Sequence, residues 1–205
     1  MQTLFTIGVL VVVAAVAAAV WWRSQRKAAG SRADHWFRAF AAERGGTFGS
    51  GDDGGSPTFG VVHPAGRPLT GGPADPWVEF RLGDRPVLAI DTRESYRHFD
   101  DHTYFRDLHV TQVRVPPGPE LRIVPGRPVS MPTLPPDSPL DAELARWLAA
   151  NPRFGQREVV VENGAARTWG QGCATRQNVT SEAQYLADLA DHLPSTLWNV
   201  SGDAS

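Results

Sequence analysis

The chain has 205 residues, 20 basic and 22 acidic, for a formal net charge of −2. That balance offers no long-range field for nucleic acid, and the single cysteine, Cys173, excludes an intramolecular disulfide. Behind a hydrophobic start the remainder is long enough for one domain with its own core.

From Gln2 to Trp22 no residue is ionisable, and from Leu4 onward the run is almost wholly aliphatic or Phe. A helix over these residues rises about 31 Å, which matches the hydrocarbon thickness of a bilayer. Trp21 and Trp22 then supply an aromatic belt, and Arg23, Arg26 and Lys27 follow at once as the membrane-interface set. Residues 1–22 therefore read as a single transmembrane anchor and residues 23–30 as a basic juxtamembrane linker. With no Lys or Arg ahead of the apolar run, the positive-inside rule puts the rest of the chain on the cytoplasmic side of the cell membrane. A cleaved signal peptide is the rival. It wants a basic start and a shorter apolar core, and of its features only the small residues Ala17–Ala19 are present.

Residues 31–200 read as one α+β domain, with 201–205 as a disordered tail. Ser31-Arg32-Ala33-Asp34 predicts a capped helix start and Gly45-Gly46 its stop. Trp36, Phe37, Phe40 and Ala41 share one face of that helix, suited to the domain core or to lipid headgroups. Residues 45–76, rich in Gly and Pro, read as a flexible loop with a short strand near Thr47-Phe48 and a solvated turn at Gly51–Gly55.

Four strands follow. Trp77–Leu82 turns at Gly83-Asp84 into Pro86–Thr92, whose Val87-Leu88-Ala89-Ile90 is apolar on both faces and predicts a central strand. In Thr103–Val115, Leu108 and Val110 share one parity and Val113 and Val115 the other, which predicts a bulge near Thr111-Gln112. Leu121–Val124 follows a Pro-rich turn and completes an expected antiparallel meander. A helix starts at Ser138 with Leu140, Leu144, Trp147 and Leu148 as its apolar stripe, and Asn151-Pro152 ends it. Glu158–Glu162 and Ala165–Trp169 flank Asn163-Gly164, the preferred type I′ pair, and so predict a C-terminal hairpin. Ser181-Glu182-Ala183-Gln184 resembles a capping box, from which a last helix buries Leu186, Leu189 and Leu193 and stops at Pro194. The expected whole is an antiparallel meander plus a hairpin, covered by amphipathic helices.

Signals for chemistry are weak. No nucleophile elbow, zincin helix, phosphate loop or paired-cysteine metal motif occurs. His98, Asp100 and His102 in His98-Phe99-Asp100-Asp101-His102, with His109 on the next strand, are the candidate metal ligands, set against the plainer reading of a solvated hairpin end. Asp91 beside Arg93 and Glu94 is a candidate base or an ion pair. Cys173, among small residues, reads as a partly buried structural thiol. Tyr185, Asp188 and His192 read as a solvated helix face that also suits a partner. Arg93, Arg97 and Arg106 suit anionic headgroups, but Glu94, Asp100, Asp101 and Asp107 offset them.

Several elements together resemble a group of uncharacterised actinobacterial single-pass membrane-anchored proteins. They are Ala42-Glu43-Arg44-Gly45 closing the first helix, Val113-Arg114-Val115-Pro116, Leu121-Arg122-Ile123-Val124-Pro125, Trp147-Leu148, Thr168-Trp169-Gly170 and Leu193-Pro194. The resemblance implies a topology and no chemistry.

The leading expectation is thus a membrane-tethered, non-enzymatic interaction module without a cofactor. Its partners would be the lipid bilayer and an unidentified membrane protein. The alternatives are a lipid-headgroup domain similar in element order to a pleckstrin-homology barrel, and a small metal-dependent enzyme using His98–His102.

Overall fold

The computed structural model describes residues 36–50, 57–59, 75–97, 103–132 and 138–199. The anchor, with Trp21, Trp22, Arg23, Arg26 and Lys27, lies outside the described residues, as do His98, Asp100, His102 and the tail. Among the described residues no helix is long and apolar enough to cross a membrane.

The domain is α+β. Helix α1 covers residues 36–44 of the described chain. The strands are β1 (Thr47–Gly49), β2 (Trp77–Leu82), β3 (Arg85–Arg97), β4 (Thr103–Arg114), β5 (Leu121–Ile123), β6 (Val159–Glu162) and β7 (Ala165–Gln171). Helices α2 (Pro139–Ala150), α3 (Arg176–His192) and the short α4 (Thr196–Asn199) complete it, with a 3₁₀ turn at Pro152–Gly155. All strand pairings are antiparallel, in one sheet of order β1-β2-β3-β4-β7-β6-β5.

The local signals hold. Gly45 adopts φ +61, Gly46 N–H donates to Ala41 O (2.8 Å) and Gly45 N–H to Ala42 O (3.5 Å), a Schellman stop for α1. Gly46 also passes so close to β2 that an added Cβ would lie 2.1 Å from Glu79 O, so any side chain there forces the strand away. Phe37, Phe40 and Ala41 are buried in the core, which decides between core and headgroups for this helix. Ser138 caps α2, accepting from Leu140 N–H. Asn163 (φ 51) and Gly164 (φ 72) make the primed turn of the β6–β7 hairpin.

Three expectations are corrected. β5 does not continue the meander. It pairs with β6 at the far edge of the sheet, and β7 takes the place beside β4. Pro116, Pro117 and Pro119 lack N–H groups for a ladder, so the chain leaves the sheet here instead of folding back along β4. β4 has no bulge: its register with β3 runs unbroken from Thr103 to Val113, and that with β7 from Leu108 to Arg114. The change of parity instead reflects a sheet buried on both sides. Val113 and Val115 join the main core under the helices, with Val78, Val87, Ala89, Leu121, Leu144, Leu186 and Leu189. Val110 joins a second cluster on the opposite face with Phe59, Trp77, Leu88 and Ile90. Thr58 fixes Phe59 over that face by donating its hydroxyl to Glu79 Oε2 (2.9 Å).

The third correction concerns α3. The helix opens six residues earlier than expected, at Arg176, with Thr175 in place of Ser181 as N-cap in a reciprocal box with Asn178. Thr175 Oγ1 accepts from Asn178 N–H (3.2 Å) and Asn178 Oδ1 from Thr175 N–H (2.6 Å). Ser181 is inside the helix, its hydroxyl turned back to Asn178 O (3.0 Å). Glu182 is therefore well past the first turn and lies on the buried face. Tyr185, expected on a solvated face, is half-buried and donates to Phe154 O (2.9 Å).

Candidate functional site

The main-core face of β4 carries His109 and Thr111 under α3. Asp91 of β3 is His109's direct cross-strand partner, and Gly170 of β7 flanks it on the other side. Gly170 is required there, because a Cβ would lie 2.6 Å from His109 Cε1 and 2.9 Å from Nε2. The imidazole thus occupies space that any other residue of β7 would fill.

Both ring nitrogens are engaged. Nδ1 donates to Gly172 O (3.1 Å), and Nε2 lies 3.1 Å from Glu182 Oε1. Thr111 Oγ1 donates to Glu182 Oε2 (2.7 Å), and Arg157 Nη1 to Oε1 (2.7 Å). Asn178 presents its amide nitrogen 3.3 Å from Nε2, because its oxygen is spent on capping Thr175. Burial opposes charge on both partners, yet their mutual hydrogen bond prevails. His109 is held above its ordinary pKa and Glu182 below its own, with Thr111 and Arg157 adding to the latter effect. The pair is an ion pair with its bonds satisfied.

Asp91 is buried alongside. Its Oδ1 accepts from Ala174 N–H (2.6 Å), while Oδ2 has no partner. Burial raises its pKa to about 6, opposed by the Ala174 bond and the charge of His109. Asp91 and His109 are thus latched to Ala174 and Gly172, the corner through which β7 enters α3. Cys173 sits between those latches and is exposed, not partly buried as expected.

Over the ion pair lies an open cleft of about 410 Å³, lined by His109, Asn178, Glu182, Arg157, Thr168 and Trp169 among others. It exists because β6 pairs only with Ala165–Arg167, so the later part of β7 is flanked by the lead-in Gln156–Glu158.

Of the residues picked out from sequence, His109 and Asp91 come together, but not with the expected companions. Five residue pairs lie between the Asp91–His109 pair and Arg97–Thr103, the last described pair before the His98–His102 segment, or about 20 Å of strand. Arg93 pairs with Asp107 (2.6 Å) and Arg106 with Glu94 (2.6 Å), each across the β3–β4 ladder. Among the described residues no group of three His, Cys, Asp or Glu is placed to hold a metal. Thr111, Arg157, Asn178 and Glu182 were missed. One signal could have found Glu182: it lies on the same helical stripe as Val179, Ala183, Leu186 and Ala190, where a carboxylate must find a buried partner.

No protein-family model matches the chain, and no curated protein or solved structure matches it either.

Proposed function

We propose that this chain is a membrane-tethered, non-enzymatic interaction module. Residues 1–22 anchor it, the domain faces the cytoplasm, and the β3–β4 ribbon contacts a membrane protein partner. The observation that carries this reading is the ribbon. β2 accompanies β3 only as far as Ile90, and β7 accompanies β4 only from Leu108. Beyond them, residues 93–97 and 103–107 have only each other as strand neighbours among the described residues and extend about 17 Å. Two-stranded ribbons are marginal alone, and this one displays Tyr104 (41% exposed) and Phe105 (48%), which as adjacent residues lie on opposite faces. The cross-strand pairs Arg93–Asp107 and Glu94–Arg106 neutralise its flanks, which suits a protein surface better than anionic headgroups. The bonds of His109, Glu182 and Asp91 go to structural partners, which favours a non-enzymatic role. The residues behind the likeness to the actinobacterial anchored proteins serve packing too, Gly170 beneath His109 and Leu193 in the core, as a shared topology would ask.

A photo-crosslinking residue at position 105, in native membranes, tests the reading. A discrete protein adduct supports it; crosslinks to lipid alone, or none, overturn it. Removing residues 1–22 should release the chain to the soluble fraction, and retention on membranes would refute the tether. Protease outside intact cells should leave the domain whole, and its digestion would reverse the orientation.

A further inference from the structure

We infer that the cleft above the His109–Glu182 pair binds a small carboxylate. Arg157 is its counter-ion and Asn178 its second donor.

The argument is one of remaining bonding capacity. Glu182 is the resident carboxylate of the cleft, and its two oxygens already take three donors, from His109, Arg157 and Thr111. Its donors are not used up in turn. Arg157 commits Nη1 to Glu182, while its Nε and Nη2 have no bond among the described residues, and its side chain is 43% exposed at the cleft. Asn178, its oxygen fixed on the Thr175 cap, can offer only N–H. Thr168 has given its hydroxyl to Glu158 O (2.8 Å), and the Glu158 side chain is exposed at the rim. With His109 charged, the inner groups His109, Arg157 and Glu182 sum to one positive charge. What remains inside is donors and positive charge, which an acceptor anion satisfies and a cation does not.

The size of the ligand follows from the cleft. A volume of about 410 Å³ admits a single aromatic ring with its carboxylate.

The test is isothermal titration of the full-length chain with benzoate, against benzamide as its uncharged isostere. Benzoate should saturate the chain and bind about tenfold more tightly than benzamide, the worth of one charge-assisted bond. Arg157→Met, which keeps the side-chain stem, should weaken benzoate about tenfold while leaving benzamide unchanged. Arg157→Lys should recover part of the loss. A single cooperative thermal unfolding transition certifies each variant as folded, and should Arg157→Met fail to fold, the benzoate–benzamide comparison on the native chain decides. Equal affinity for the two probes, full benzoate affinity in a folded Arg157→Met variant, or no saturable benzoate binding overturns the inference.

Discussion

Thr111 and Gln112 are neighbours on β4, both wholly buried, and they meet opposite fates. Thr111 faces the helices, where its hydroxyl enters the Glu182 network. Gln112 faces the other way, and neither atom of its amide has a partner. Its cross-strand neighbour Arg167, 1% exposed, reaches Glu162 with Nη2 (3.2 Å) but leaves Nε and Nη1 unpartnered. On the helix side the one buried side-chain atom without a partner, among the described residues, is Asp91 Oδ2. The two faces thus contain similar polarity at different cost. A buried network whose members are bonded rigidifies the elements it joins, whereas buried polar groups without partners carry their full desolvation penalty. The first joins β3, β4, the β7–α3 corner and α3; nothing among the described residues accounts for the second.

The sharpest way to break this contrast is Glu182→Ala. It leaves His109, Thr111 and Arg157 facing an empty acceptor position, two of them buried or nearly so, and should cost about 3–5 kcal/mol in urea denaturation. Glu182→Gln keeps an acceptor for one donor and should cost less. A loss below about 1 kcal/mol from the alanine variant would mean that the network is no tighter than a surface pair.

Why this network escaped a reading of the sequence is instructive. Signals confined to a few residues were legible: Gly45-Gly46, Ser138-Pro139, Asn163-Gly164 and the apolar face of α1 each specify a local geometry. Pairing between distant strands was not. β5 and β7 are both short and apolar, and no local feature tells which of them borders β4. The parity change in β4 was visible, yet a bulge and a second covered face produce the same pattern, and what chooses between them is Phe59 and Trp77 packing from elsewhere in the chain. Ser181-Glu182 imitated a helix start, while the true box used Asn178 in place of the usual Glu or Gln. With the helix start placed at Ser181, Glu182 falls in the first turn, where a carboxylate needs no buried partner, and so the site stayed hidden.

Acidity separates Asp91 from its satisfied neighbours. Its folded pKa is raised from 3.8 to about 6, so the folded state holds the proton more firmly than the unfolded chain does. The stability this gives is complete below about pH 4 and is lost as pH rises through 6, a change of about 3 kcal/mol. His109 acts above that window and Glu182 at its acid edge. The raised His109 contributes stability that fades as pH climbs from 6.5 through its folded value, and the lowered Glu182 contributes stability that fades only as pH falls below 4.5. Asp91→Asn keeps an oxygen for Ala174 N–H and has no charge to bury. Its stability relative to the native chain should therefore rise between pH 4 and pH 6 and then level off. Parallel curves for the two proteins across that range would show that Asp91 is not the group responsible.

On the opposite face the sign reverses. Gln112→Met keeps the length of the side chain, fills the same space and removes two polar atoms that bond nothing. Where Glu182→Ala destabilises, this substitution should stabilise, by about 1–2 kcal/mol. A loss of stability would show that the Gln112 amide is satisfied in solution, and the two faces would then be alike.

The ribbon supplies the zero of the scale, since neither cover reaches it. Phe105 is 48% exposed and, among the described residues, flanked by strand on one side only, so Phe105→Ser surrenders little burial and no buried hydrogen bond. Surface changes of this kind fall within about 0.5 kcal/mol, well below those at Glu182, Asp91 or Gln112. An aromatic ring kept in water is a cost to solubility, and keeping it makes sense when a partner covers it. Phe105→Ser should therefore leave the denaturation midpoint in place while abolishing crosslinking from position 104 to the partner. A drop of more than about 1 kcal/mol would mean that the ring packs on the domain itself, and the ribbon would then be a structural brace, with its crosslinks to be sought within the chain.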